Sequence, residues 1–178
     1  MDARRERENI YKQFDRYQRD EGGTVVWFKF DFDESAYDPT YDEGGKTYHP
    51  GRVVSYLWLD KVEGAKTMNP EGNRATERIH AAFSVRTLNE TGIGGEEATG
   101  LRRRDRAATS GMPWTDDRKN DLLFYKDRWW DVTGFEIRDQ VKDKPVIVGV
   151  TAIETTLKDE HVWDLFPANY PYASEYLD

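Results

Sequence analysis

Short runs rich in β-branched and aromatic residues recur along this chain, divided by glycine, proline and charge, and helical spacing occurs in one place only. That pattern restricts the fold to a mainly β architecture. Thr24 to Phe32 places Phe28, Phe30 and Phe32 on one face and Lys29 and Asp31 on the other. Arg52 to Asp60 alternates Val54, Tyr56 and Trp58 against Val53, Leu57 and Leu59, so the expectation is one strand covered on both sides. Glu77 to Thr87 turns Ile79, Ala81, Phe83 and Val85 one way. Leu122 to Tyr125, the charged Lys126-Asp127-Arg128 and Trp129 to Val132 read as a hairpin, with Gly134 as a bulge in its second arm. Gln140 to Pro145 reads as a turn, and Val146 to Ile153 is the strongest strand. Glu63 to Asn73 reads as turn-rich chain.

The helical spacing lies between Asp2 and Asp20, where Ile10, Tyr11, Phe14 and Tyr17 make one narrow stripe before Glu21-Gly22-Gly23 stops it. So narrow a stripe has to dock either on the chain's own sheet or on a neighbour. The expected organisation is an N-terminal helical arm over 1–23 and a β domain over 24–157. Insertions at 33–51 and 89–120 interrupt that domain, and an aromatic, acidic tail follows over 158–178.

Charge narrows the functional classes. The net charge of −8 argues against a dedicated duplex binder, which needs Lys and Arg to displace counterions from phosphates. With no cysteine, disulfides, thiolate nucleophiles and thiolate metal sites are excluded together. The first residues lack an apolar signal core, and no apolar run approaches the ~18 residues of a membrane span, so the expectation is a chain made in the cytosol with no membrane contact. Much of the apolar content is aromatic, with 6 Trp, 10 Tyr and 8 Phe, which favours contact surfaces over a deep core.

No chemistry stands out. The acidic stretch Asp31, Asp33, Glu34, Asp38, Asp42 and Glu43 opens like a calcium loop, but Ser35-Ala36 stands where Asx-Gly should follow. His49, His80 and His161 sit in no metalloprotease or nucleophile-elbow frame. The Gly92 to Gly100 cluster lacks a phosphate-cradle context. The expectation is therefore a protein without catalytic residues, metal or cofactor. Arg102, Arg103, Arg104 and Arg106 form one basic run, suited to phosphates or to a neighbour's acidic loop, with a simple solvated loop as the alternative reading. In the tail, Trp163, Phe166, Tyr170, Tyr172 and Tyr176 alternate with acids, too aromatic to stand in water; they are expected to dock against something, a partner included.

From Asp121 onward the order of short strand, charged turn, Trp129-Trp130-Asp131-Val132 arm, linker and Pro145-Val146-Ile147-Val148-Gly149-Val150-Thr151-Ala152-Ile153-Glu154 resembles the last strands of small barrels in the neck of tailed bacteriophages. Upstream, Ala36-Tyr37-Asp38-Pro39-Thr40-Tyr41-Asp42-Glu43-Gly44-Gly45-Lys46-Thr47-Tyr48-His49-Pro50 is similar to a segment of head-to-tail stopper (head-closure) proteins of actinobacterial phages. There it also lies between a Val-Trp strand and a strand like Arg52-Val53-Val54-Ser55-Tyr56-Leu57-Trp58, and Thr76-Glu77-Arg78-Ile79 matches the start of the third strand. The resemblance spans Thr24 to Glu154. It implies a β-barrel protomer with an inserted loop; with the N-terminal helix and the tail, which lie outside the matched region, the expected fold is a small antiparallel β-barrel with an N-terminal helix, long inserted loops and an extended C-terminal tail. It further implies a closed ring of roughly six or twelve copies in the virion neck. Such a ring sits beneath portal and adaptor and above a tail terminator or tail tube. Genomic duplex passes through its lumen without sequence-specific binding. By position the channel loop would carry Tyr37, Asp38, Tyr41, Asp42, Tyr48 and His49. Two other readings remain open, a tail-terminator ring and an OB-like single-strand binder that stacks bases on exposed aromatics.

Overall fold

Seven of the strands join in one antiparallel sheet. The computed structural model describes residues 3–31, 34, 45–62, 66–69, 72–75, 77–94, 120–141, 144–156, 160–168 and 170. Helix α1 (Ala3–Asp20) precedes β1 (Gly23–Phe28), β2 (Phe30–Asp31), β3 (Thr47–Tyr48), β4 (Arg52–Tyr56) and β5 (Trp58–Val62). Then come β6 (Lys66–Asn69), β7 (Gly72–Ala75), β8 (Arg78–Ser84) and helix α2 (Val85–Glu90). Strands β9 (Leu122–Tyr125), β10 (Arg128–Val141) and β11 (Lys144–Thr155) lead to a 3-10 helix at Glu160–Leu165. The large sheet has the order β4-β1-β9-β10-β11-β8-β5, and β2-β3 and β6-β7 form two small ribbons. The chain is mainly β with an N-terminal helix, as its sequence patterns indicate.

The two edge strands explain the shape. β4 and β5 are consecutive in the chain with only Leu57 between them, yet they lie at opposite edges of the sheet. Two residues of extended chain reach about 7 Å at most, so the sheet rolls until its edges meet at this corner. The Leu57 amide donates to the Ala82 carbonyl on β8 at 2.7 Å and fastens it. No ladder joins β4 to β5, so the sheet is not hydrogen-bonded into a closed ring. The expected barrel is realised as a rolled, barrel-like sheet in which one bent strand serves both edges.

The bend also corrects the reading of Arg52 to Asp60 as a single strand covered on both faces. Before it, Val54 and Tyr56 face the interior; after it, Leu59 does. Leu57 itself is buried at the corner. Apolar residues occupy both parities because the strand changes phase, not because both faces are covered.

Inside the roll, Val25, Trp27, Phe83, Leu123, Trp130 and Val150 belong to one continuous core. The Trp27 ring meets Phe83 edge-on at 5.3 Å and Phe135 at 5.7 Å. Helix α2 adds Val85 and Leu88 to this core. The third strand therefore ends at Ser84 and not at Thr87, because Val85 reaches the interior from a helix. Gly92 stops that helix at φ +79°, a left-handed conformation that favours glycine. The Ile93 and Gly94 amides then bond back to Leu88.

The hairpin and bulge are present as the residues suggest. Lys126 (φ 50°) and Asp127 (φ 60°) make the two-residue turn between β9 and β10. Val132 and Gly134 oppose consecutive Ala152 and Thr151, so Thr133 is the extra residue. A second shift, between Ile137 and Asp139, lets β10 run on to Val141; Gln140 pairs with Pro145, where a turn is expected from the sequence. The stretch from Glu63 to Asn73 likewise contains most of a paired ribbon, since Met68 opposes Asn73. Lys29 interrupts the first strand, and Phe30–Asp31 pairs with Thr47–Tyr48 instead.

Candidate interaction surfaces

The outer face of β1, β9 and β10 is apolar, because Val26, Phe28, Leu122, Phe124 and Trp129 alternate with the inward residues. Left bare it would be a contiguous hydrophobic patch. The C-terminal segment covers it. Val162 is 2% exposed there, and Phe166 packs 5.1 Å from both Phe28 and Phe124 and 5.7 Å from Trp129. Trp163 stacks on Phe166 at 5.4 Å and stands edge-on to Trp129 at 5.2 Å; Tyr170 lies 5.5 Å from Phe166. The Gly51 amide donates to the Leu165 carbonyl at 2.7 Å and pins the segment to the start of β4. A side chain at 51 would drive a Cβ to 2.6 Å from the Phe28 ring, so glycine permits this close approach. Trp163, Phe166 and Tyr170 thus dock on this chain's own sheet. Tyr172 and Tyr176 lie outside the described residues.

A second feature lies where β1 ends and β9 begins. Asp121 is 0% exposed. Its carboxylate accepts the Trp27 indole N–H at 2.8 Å and the Phe30 amide at 2.8 Å, and its carbonyl accepts the Val132 amide at 2.9 Å. A buried carboxylate is tolerated when its oxygens are met by donors. Asp121 ties β1, β2, β9 and β10 together where the chain leaves for the first insertion and returns from the second. No sequence signal marks it, because its side-chain partners lie 91 and 94 residues away.

Of the residues expected on the channel loop, Tyr37, Asp38, Tyr41 and Asp42 lie outside the described residues. Tyr48 does not project: it is 7% exposed in β3, with its ring 6.0 Å from Phe30 in the outer cluster. The β2–β3 pairing draws it back onto the sheet. His49 is exposed, with Nε2 3.5 Å from Asp31, and its amide donates to the Lys29 carbonyl. Arg102, Arg103, Arg104 and Arg106 also lie outside the described residues. His80 Nδ1 sits 3.1 Å from the Thr151 hydroxyl, and His161 is exposed. Among the described residues, no group of three or more His, Asp or Glu is placed to hold a metal ion, and no helix is long and apolar enough to cross a membrane.

Charged contacts gather near the start of β8. Lys61 and Arg128 both reach Glu77 at 2.6 Å, and Arg128 also reaches Glu154 at 3.2 Å. The Lys61 hydrogen bond, helped by both positive charges, holds the Glu77 carboxyl below the usual carboxylate range. Further round, Arg138 lies along Gly149 with its guanidinium 5.7 Å from the Trp58 ring and an ion pair to Glu136.

No protein-family model matches the chain, and no curated protein does. Among solved structures, a chain described as "Virion of native gene transfer agent (GTA) particle" aligns with a TM-score of 0.39 and 12% identity, over 76% of this chain and 96% of that one. A likeness at this level assigns neither a family nor an activity.

Proposed function

We propose that this chain is a structural protein of the virion neck, a head-closure ring component that joins head to tail and does no chemistry on a substrate. The observation that carries this reading lies at Asp121, where the first long insertion leaves the sheet beside the point at which the second returns to it. A rolled sheet that carries these insertion ends beside each other aims them at one axis when copies stand in a ring. Sequence resemblance supports the same reading, since its segments supply β1, β4, β5, β8, β9, β10 and β11, the strands of the large sheet. The acidic balance fits a bore that duplex slides through, because a basic lining would hold phosphates.

In this reading the adaptor and portal bind above, the tail terminator or tail tube binds below, and the insertion with Tyr37, Asp38, Tyr41 and Asp42 closes the channel. Deleting residues 37–44 while keeping the buried Tyr48 is the test. The variant chain is expected to keep its thermal transition and enter particles, but filled heads lose their DNA. Heads that retain DNA overturn the gate, and absence of the wild-type chain from purified particles overturns the neck role.

A further inference from the structure

The β2–β3 ribbon and the C-terminal segment share one apolar cluster. Phe30 and Tyr48 of the ribbon and Val162 of the segment are buried in it, and Trp163, Leu165, Phe166 and Tyr170 pack against it. The ribbon pairs Phe30 with Tyr48 and Asp31 with Thr47. A two-stranded ribbon is marginally stable at best in water, so this one depends on what packs against it.

Its two sides are held differently. On the outgoing side, the Phe30 amide donates to the buried Asp121 carboxylate, which the Trp27 indole ties to the large sheet. On the returning side, the His49 amide donates to the Lys29 carbonyl, and the buried Gly51 donates to the Leu165 carbonyl at 2.7 Å. Gly51 also backs onto the Phe28 ring, which lies 5.1 Å from Phe166. Phe166, Phe28 and Gly51 therefore form a line of contact from the segment to the chain that follows β3.

The segment belongs to none of the sheets. Side-chain packing and the Gly51–Leu165 bond hold it, in place of the ladders that join the strands. An element without a ladder opens at a lower free energy than the sheet beneath it. Once it opens, the Gly51 amide loses its acceptor, and Phe30 and Tyr48 lose part of their cover.

We infer that the C-terminal segment is a releasable latch on the returning strand β3. It undocks while the large sheet stays folded, and the Thr47–Gly51 side of the ribbon loosens with it. The outgoing side stays fixed by Asp121. The device is a property of the fold and holds whether or not the chain stands in a virion neck.

Amide hydrogen exchange of the full chain, followed across low urea concentrations, tests it. The Gly51 amide reports the segment leaving, His49 reports the ribbon following, and Val132, bonded to the Asp121 carbonyl, reports the sheet. In the wild type, Gly51 and His49 are expected to share one opening that depends weakly on urea, below the steep, global opening of Val132. Phe166→Ala is expected to speed both Gly51 and His49 by about tenfold or more; if that variant does not fold, Tyr170→Ala takes its place. Tyr48→Ala is expected to speed Gly51 in return, because coupling between two sites is reciprocal. Wild-type Gly51 or His49 that exchanges only with Val132 overturns the release. A Phe166→Ala chain in which Gly51 speeds up and His49 does not overturns the latch.

Discussion

The indole of Trp27 donates to the carboxylate of Asp121 at 2.8 Å, with both residues 0% exposed. The second carboxylate oxygen accepts the Phe30 amide, so one side chain spans the inner core and the bend that opens the first insertion.

Asp121→Asn keeps the shape but turns an N–H₂ toward one of these donors. Leaving a buried donor unmet costs about 1–3 kcal/mol. Urea unfolding is expected to show a lower midpoint with an unchanged slope. Trp27→Phe breaks the same bond from the other side, and the double variant is expected to lose less than the sum of the two singles. Strict additivity would remove the role given to this bond.

Phe166 holds the tail to the sheet through Phe28, Phe124 and Trp129. Because it keeps some exposure, Phe166→Ala is expected to cost on the order of 2 kcal/mol, below the ~3–5 of a fully buried phenylalanine. Calorimetry reads the loss. Binding of a hydrophobic dye should rise in parallel as the outer face is uncovered; a stable variant with no added dye binding contradicts the docking described.

Burial, followed by the hydrogen bond with Tyr125, pushes the Tyr56 hydroxyl up to about 12. An unfolded tyrosine ionises near about 10, so the unfolded state loses its proton first on going alkaline. The stabilisation from this group is therefore complete below about 10 and is lost as pH rises through about 12. Tyrosinate absorbance is expected to show one late-titrating residue that disappears in Tyr56→Phe, and that variant's stability should fall less steeply with alkali.

Lys126 and Asp127 both hold positive φ in the β9–β10 turn, a conformation that costs most side chains and suits Asn-Gly. Lys126→Asn combined with Asp127→Gly is expected to raise stability by about 1 kcal/mol. Thermal unfolding checks the direction, and a fall in the transition temperature contradicts the turn geometry.

Much of the framework can be read from residue order. The Ile10 to Tyr17 spacing marks a helix, the Trp129 to Val132 arm marks a hairpin, and Gly134 marks a bulge, since each depends on neighbours within a few positions. The candidate surfaces are less legible. Tyr48 shares its segment with Tyr37 and Tyr41, and only the β2–β3 pairing shows that its ring belongs to the sheet. The phase change at Leu57 looks in sequence like a strand covered on both faces, because alternation has no symbol for a corner.

By itself, the sequence determined which side chains share a face: alternation in β1, β9 and β10 and a period near 3.6 in α1 follow from backbone geometry alone. Only the tertiary structure decided what each face meets. The tail, not a second sheet, covers Phe28, Phe124 and Trp129; Asp121 finds Trp27; and Arg86 on α2 finds Glu8 on α1. The reason is that partners many residues apart are selected by mutual burial and by satisfaction of polar groups, which are properties of the assembled chain and not of any local spacing.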